Sequence, residues 1–268
     1  MTSHLKEIAA VDSRAVMLDI TLDVARFCDE NNLTYFLAYG SLIGAIRHKG
    51  FIPWDDDIDL LMPRPDYERF IQLYRQKGRY SVLTPMDQGA VYEWVKIYDD
   101  RSEKVEEVDY SVCKLIGVNI DIFPLDGQPD YMDTFKRETD ERMRLHHRIR
   151  IITRPLKGFP LKGKIATLAY RLIGVRHYLR KYIQSATQYP YDTANYVGFA
   201  DPYPWNPYCD RHLKSLFTER VKVPFEGHEL WAPAGYDTFL RNMYGDYMQL
   251  PPVEKQVSHH QHTLYWKD

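Results

Sequence analysis

The run from Thr34 to Asp59 limits what this chain can fold into more than any other part of it. Thr34 to Tyr39 is rich in aromatic residues and predicts a strand, and Gly40-Ser41 then opens a short helical run through Leu42, Ile43, Ala45 and Ile46. Phe51-Ile52-Pro53-Trp54 connects this helix to Asp57–Met62, which alternates polar and apolar as a strand does. Asp57 and Asp59 are therefore expected on one face, and with Asp55 and Asp56 they put four carboxylates within five positions. Charges held that close repel, and a divalent cation would relieve the repulsion. Hard oxygen ligands suit Mg2+ or Mn2+, whose task in phosphoryl transfer is to neutralise phosphate charge and align the reacting oxygens. Glycine at position 40 allows close backbone approach to a phosphate, and Ser41 at a helix start offers a hydroxyl and an N–H to an anion. An acidic run alone reads equally well as a solvated turn. Gly-Ser after a strand, followed by Asp-Ile-Asp on the next strand, favours a site.

A third carboxylate on a neighbouring strand would complete such a site, and Asp121, flanked by Ile120 and Ile122, is the candidate. Asp126-Gly127 reads as a plain turn. Arg47, His48 and Lys49 lie between the Gly-Ser and the acidic run, where they are placed to meet a diphosphate. Lys96 and Arg101 are weaker candidates of the same kind. His259, His260 and His262 sit in a polar context that favours a flexible tail over a metal cluster.

Elsewhere, periodicity predicts a helix from Ser13 to about Asn31, another from Pro65 to Gly78, and strands at Tyr80–Leu83, Glu93–Tyr98 and Ile116–Phe123. Helical spacing returns at Tyr131–Thr153, Lys162–Gln184 and Tyr236–Tyr244, and Asp201-Pro-Tyr-Pro-Trp-Asn-Pro reads as a rigid loop. The expected fold class is α/β (α+β): a mixed sheet flanked by helices. The expected organisation is a catalytic core over 1–128, a basic helical region over 129–190 and a segment over 191–268 that completes the core.

Charge is unevenly spread. Between Lys136 and Lys181 fourteen Lys/Arg face three Asp/Glu, although the whole chain carries a net −2. The three cysteines are scattered and form no Cys-x-x-Cys pair. No basic-then-apolar leader and no long apolar run is evident, so a cytoplasmic protein is the expectation.

By these residues the chain resembles the LicD family of the nucleotidyltransferase superfamily, which includes the fukutin-related proteins. Gly40-Ser41 and Asp57-Ile58-Asp59 are similar to the superfamily's Gly-Ser and Asp-x-Asp signatures. Arg47 to Asp57 is LicD-like almost throughout, and Asp121-Ile-Phe-Pro-Leu-Asp-Gly127 resembles a second family block. Tyr244-Gly-Asp-Tyr-Met248 with Leu250-Pro-Pro252 resembles a third. The resemblance implies a nucleotidyltransferase-like core, with Asp57, Asp59 and Asp121 as metal ligands and Gly40 and Ser41 against donor phosphates. It further implies transfer of phosphocholine from CDP-choline, or of a related group from another CDP-alcohol such as CDP-ribitol, to a sugar hydroxyl of teichoic acid or lipopolysaccharide. CMP would leave, and Asp55 or Asp121 would take the hydroxyl proton. A lipid-linked acceptor would bring the Lys136–Lys181 region to the inner face of the membrane, with no nucleic-acid partner expected. Trp54, Trp94, Tyr203 and Trp205 are loose candidates for a choline cage. The rival readings are a nucleotidyltransferase, which uses the same site, and a non-catalytic binding protein on the same fold.

Overall fold

The chain folds as an α+β protein around an open mixed sheet, seen in a computed structural model that describes residues 6–157, 160–199, 206–258 and 262–267. Strand β1 (Lys6–Glu7) leads into helix α1 (Ala10–Glu30), whose Met17, Ile20, Val24 and Phe27 recur at helical spacing and are buried. Strand β2 (Phe36–Leu37) is followed by helix α2 (Tyr39–Ile43), which runs directly into a wider π-type segment, Gly44–His48, ended by Lys49 at φ 62°. An irregular loop carries the chain to β3 (Asp59–Pro63) and straight into α3 (Arg64–Lys77), so the strand expected from Asp57 begins only at Asp59 and Asp57 lies in the loop before it, not on a shared strand face. Pro65 stands in the first turn of α3, where a missing N–H removes no helical bond, and Gly78 closes it. Phe70 and Tyr74 of α3 pack on Phe27 of α1, with ring centroids 6.0 and 4.9 Å away.

Four strands follow: β4 (Ser81–Leu83), β5 (Val95–Tyr98), β6 (Ser102–Glu106) and the long β7 (Asn119–Gln128). The central sheet runs β2-β3-β7-β5-β4. Its β3 and β7 are parallel, whereas β2 joins β3, and β5 joins β7, antiparallel. Leu60, Leu61 and Met62 of β3 and Ile120 and Ile122 of β7 are buried in the main core. β7 extends beyond the expected end at Phe123, which corrects the reading of Asp126-Gly127 as a turn. Asp126 is buried in that strand and accepts two bonds, 2.6 and 2.7 Å, from Arg64 at the start of α3.

Helices α4 (Met132–Thr153), α5 (Leu161–Ile173) and α6 (Val175–Ala186) come next. Leu145, Ile149 and Ile152 of α4 and Tyr178, Leu179 and Tyr182 of α6 form a second apolar cluster, apart from the main core. The single helix expected over Lys162–Gln184 is two, because Gly174 takes φ 88°, a conformation few other residues adopt cheaply. Strands β8 (Tyr196–Gly198) and β9 (His212–Leu213) extend the sheet from the far end of β7. The hairpin β10 (Arg220–Phe225) and β11 (His228–Pro233) and helix α7 (Tyr236–Tyr244) add Val223, Phe225, Leu230, Phe239 and Leu240 to the main core.

A last strand, β12 (His262–Trp266), lies between β1 and β6. His262 is thus half-buried in a ladder, not part of a loose tail. His259 and His260, the 201–205 stretch of the expected loop, and Tyr203 and Trp205 within it lie outside the described residues. Among the described residues, no helix is long and apolar enough to cross a membrane.

Candidate active site

Strand register assembles the site. Asp59, the first residue of β3, is the partner of Asp121 in parallel β7, and Asp121 in turn faces Lys96 across antiparallel β5. Three adjacent strands therefore carry a row of carboxylate, carboxylate and ammonium. Asp121 accepts from Lys96 Nζ at 2.6 and 2.7 Å, from Trp94 Nε1 at 2.9 Å and from Asn119 Nδ2 at 2.8 Å. Lys96 is itself buried, with its ammonium 4.3 Å from the centroid of the Tyr92 ring. Burial lowers its pKa, and Asp121 opposes that shift.

Gly40 and Ser41 bind this row to the acidic loop. Ser41 Oγ accepts the backbone N–H of Asp59 at 2.9 Å, fixing the start of β3 while its own proton stays available to another acceptor. A Cβ at Gly40 would lie 2.8 Å from Asp55 Oδ2, so glycine is what admits the Asp55 carboxylate here. Just before them Tyr39 holds φ 46°, a strained value for an aromatic residue, while its hydroxyl donates to Asp210 at 2.7 Å. The acidic loop is ordered rather than a free solvated turn. Arg14 of α1 donates to the carbonyls of Pro53 and Asp55, each at 2.7 Å, and Ser258 Oγ donates to Asp56 at 2.7 Å. A crevice of about 520 Å³ lined by Arg14, Trp54, Asp55, Asp56 and Ser258 opens beside the loop.

The basic residues between these motifs divide. Arg47 donates to the carbonyl of Tyr247 at 2.6 Å and of Gln249 at 3.3 Å, tying the π-type segment to the chain after α7. His48 lies edge-on to Trp54, with centroids 6.3 Å apart. Its pKa is lowered by burial and then by the neighbouring Arg47. Lys49 is exposed and donates to the carbonyl of Ile46. Arg101 is engaged with Asp99 at the turn between β5 and β6, where its Nη2 approaches Oδ2 to 2.6 Å. Lys96 is thus the cation brought into direct contact with a carboxylate of the row.

Electrostatics decide what ligand the cluster suits. Burial pushes the Asp59 carboxyl well above its ordinary pKa, and Asp57, Asp121 and Asp55 push it further in the same direction, while Lys96 pulls it down. Negative charge gathered this closely matches a hard divalent ion. Asp57 and Asp59 fit that role by donor type and charge. Asp121 fits it less directly, since its oxygens already accept from Lys96, Trp94 and Asn119. Accordingly, among the described residues no three His, Cys, Asp or Glu side chains are arranged to hold a metal.

Three residues near the site were not singled out as site candidates from the sequence. Arg14 looks like any helix-surface cation. Tyr244 ends α7, and its phenol is pushed well above its ordinary pKa by burial and then by charges that include Asp59, Asp210 and Asp57. Asp210 is buried, accepts from Tyr39, and lies 3.0 Å from His212 Nε2. Position 244 was visible only through the family block, and no periodicity marks 210. Next to Asp121 an aromatic wall forms from Trp94, Phe123 and Phe199, with centroids 4.7 to 5.8 Å apart.

A family model described as LicD/FKTN/FKRP, nucleotidyltransferase domain, matches residues 32–166. The chain is 32% identical to the lipopolysaccharide cholinephosphotransferase LicD of Haemophilus influenzae, over 97% of this chain and 99% of that one. A shorter match, 32% identical over 28% of this chain and 24% of the other, is to an uncharacterised protein of Rickettsia typhi.

Proposed function

The chain belongs to the LicD family, and from that premise we propose that it transfers phosphocholine from CDP-choline to a sugar hydroxyl of a lipopolysaccharide-type glycan, releasing CMP. The observation that carries this reading is the near full-length identity to a protein named as a cholinephosphotransferase.

In this reading Asp57 and Asp59 hold Mg2+ or Mn2+, and the ion supplies charge neutralisation at the donor diphosphate. Ser41, held against β3, turns its free proton toward a phosphate oxygen, and Gly40 keeps the backbone close. The acceptor hydroxyl oxygen forms a bond to the phosphorus that carries choline. The bond from that phosphorus to the CMP oxygen breaks, and CMP leaves with the electron pair. Asp55, whose carboxylate is admitted beside the Gly-Ser turn by the missing Cβ of Gly40, receives the hydroxyl proton. Trp94, half-buried beside Asp121 and backed by Phe123 and Phe199, offers its ring to the quaternary ammonium.

The test incubates the purified protein with choline-labelled CDP-choline and lipopolysaccharide, in parallel with CDP-ribitol and CDP-glycerol. Label in the glycan with stoichiometric free CMP supports the proposal. Turnover of another CDP-alcohol changes the substrate, and transfer of the cytidylyl group overturns the reaction type.

A further inference from the structure

Helix α5 is built inside out. Its apolar stripe, Leu161, Ile165, Leu168 and Leu172, recurs at i, i+4, i+7 and i+11. A helix of a soluble domain normally turns such a stripe to the core. Here the four are 74, 60, 48 and 90% exposed, and Ile173 beside them is 53% exposed. The opposite side faces the protein. Thr167 is fully buried, Tyr170 packs edge-on against Tyr178 of α6 at 6.1 Å, and Arg171 is fixed in place. Arg171 donates to the carbonyls of Ile152 and Arg154 and pairs with Asp109 at 2.7 Å. The polar face thus anchors the helix, and the apolar face is left outward.

Charge identifies what covers it. From Arg142 to Tyr191 the chain has twelve Lys/Arg and no Asp or Glu. Lys162 and Lys164 flank the stripe on α5 itself, and Arg176, Arg180 and Lys181 lie exposed on α6. A second copy of the chain would bring like charges together on this face. An anionic bilayer surface meets both demands, since acyl chains take up the Leu and Ile side chains while lipid phosphates face the Lys and Arg heads. We propose that α5 lies in the plane of an anionic membrane surface and docks the protein there through Leu161, Ile165, Leu168 and Leu172. This inference is independent of which CDP-alcohol the protein uses.

The test is flotation of the full chain with phosphatidylcholine vesicles, with and without phosphatidylglycerol. Wild type is expected to float with the phosphatidylglycerol vesicles, and added sodium chloride to weaken that binding. Replacing the exposed side chains in Ile165→Ser/Leu168→Ser/Leu172→Ser should lower partitioning by about tenfold or more while leaving the melting curve unchanged. Lys162→Glu/Lys164→Glu should reduce binding to the anionic vesicles with the apolar stripe intact. Absence of wild-type flotation with anionic vesicles overturns the proposal, as does binding unchanged in the triple variant. A dimer in sedimentation that the triple variant converts to monomer, with no vesicle binding, assigns the face to a second copy instead.

Discussion

Lys96 and Asp121 face each other across antiparallel β5 and β7, with the ammonium 2.6 and 2.7 Å from the two carboxylate oxygens. The pair sets the charge of the row that Asp59 begins. A buried lysine costs desolvation energy that only a close partner offsets. Lys96→Met leaves the half-buried Asp121 carboxylate without its strongest partner, and should cost about 1 to 3 kcal/mol in urea unfolding. The double variant Lys96→Met/Asp121→Asn should recover part of that loss. A single variant as stable as wild type would rule out the pair as a structural element.

Asp59→Asn should behave in the opposite way. Removing a charge that burial and three neighbouring carboxylates disfavour leaves the midpoint of unfolding unchanged or higher. Turnover, followed by CMP release, should fall by about a hundredfold or more. Near-normal turnover would refute the ligand role.

Gly40→Ala places a methyl 2.8 Å from the native position of Asp55 Oδ2, so the carboxylate must move. Displacement of a reacting group by about 1 Å can cost about a hundredfold in rate. The expectation is a loss of that order with a native circular dichroism spectrum. Asp55→Asn should then add little further loss to Gly40→Ala.

Chelation by EDTA should stop CMP release, and Mg2+ or Mn2+ should restore it. Thermal melts give a readout apart from turnover. Mg2+ should raise the wild-type Tm and leave that of Asp57→Asn where it was.

Arg47→Met frees the carbonyls of Tyr247 and Gln249 from their donor. The expected cost is about 1 to 3 kcal/mol, with faster proteolysis at 244–252. Unchanged proteolysis would show that the chain after α7 holds its place without Arg47.

Long amphipathic elements were legible in the sequence. Helix α7 matches its expected span, and α1, α3 and α4 match within a few residues, because each buries one stripe that periodicity exposes. The polar strands were not. β6 reads Ser-Glu-Lys-Val-Glu, and its pairing with β12 is a tertiary fact that no local pattern announces. The same division holds at the site. Asp59 and Asp121 were singled out by alternation, but their register depends on which strands become neighbours. Arg14 reaches the acidic loop and Asp210 reaches Tyr39 from distant parts of the chain, through contacts that leave no spacing behind.

The parallel pairing of β3 with β7 also dictates when the site can exist during synthesis. Asp59 leaves the ribosome before α3, β4, β5 and β6, and its partner strand emerges only after all of them. Until then β3 has β2 on one side and an open edge on the other, the state in which strands associate between chains. Closing so long a loop is slow compared with local helix formation. Nascent chains stalled before Asn119 should therefore be the aggregation-prone species of this protein, and release past Gln128 the step that protects it.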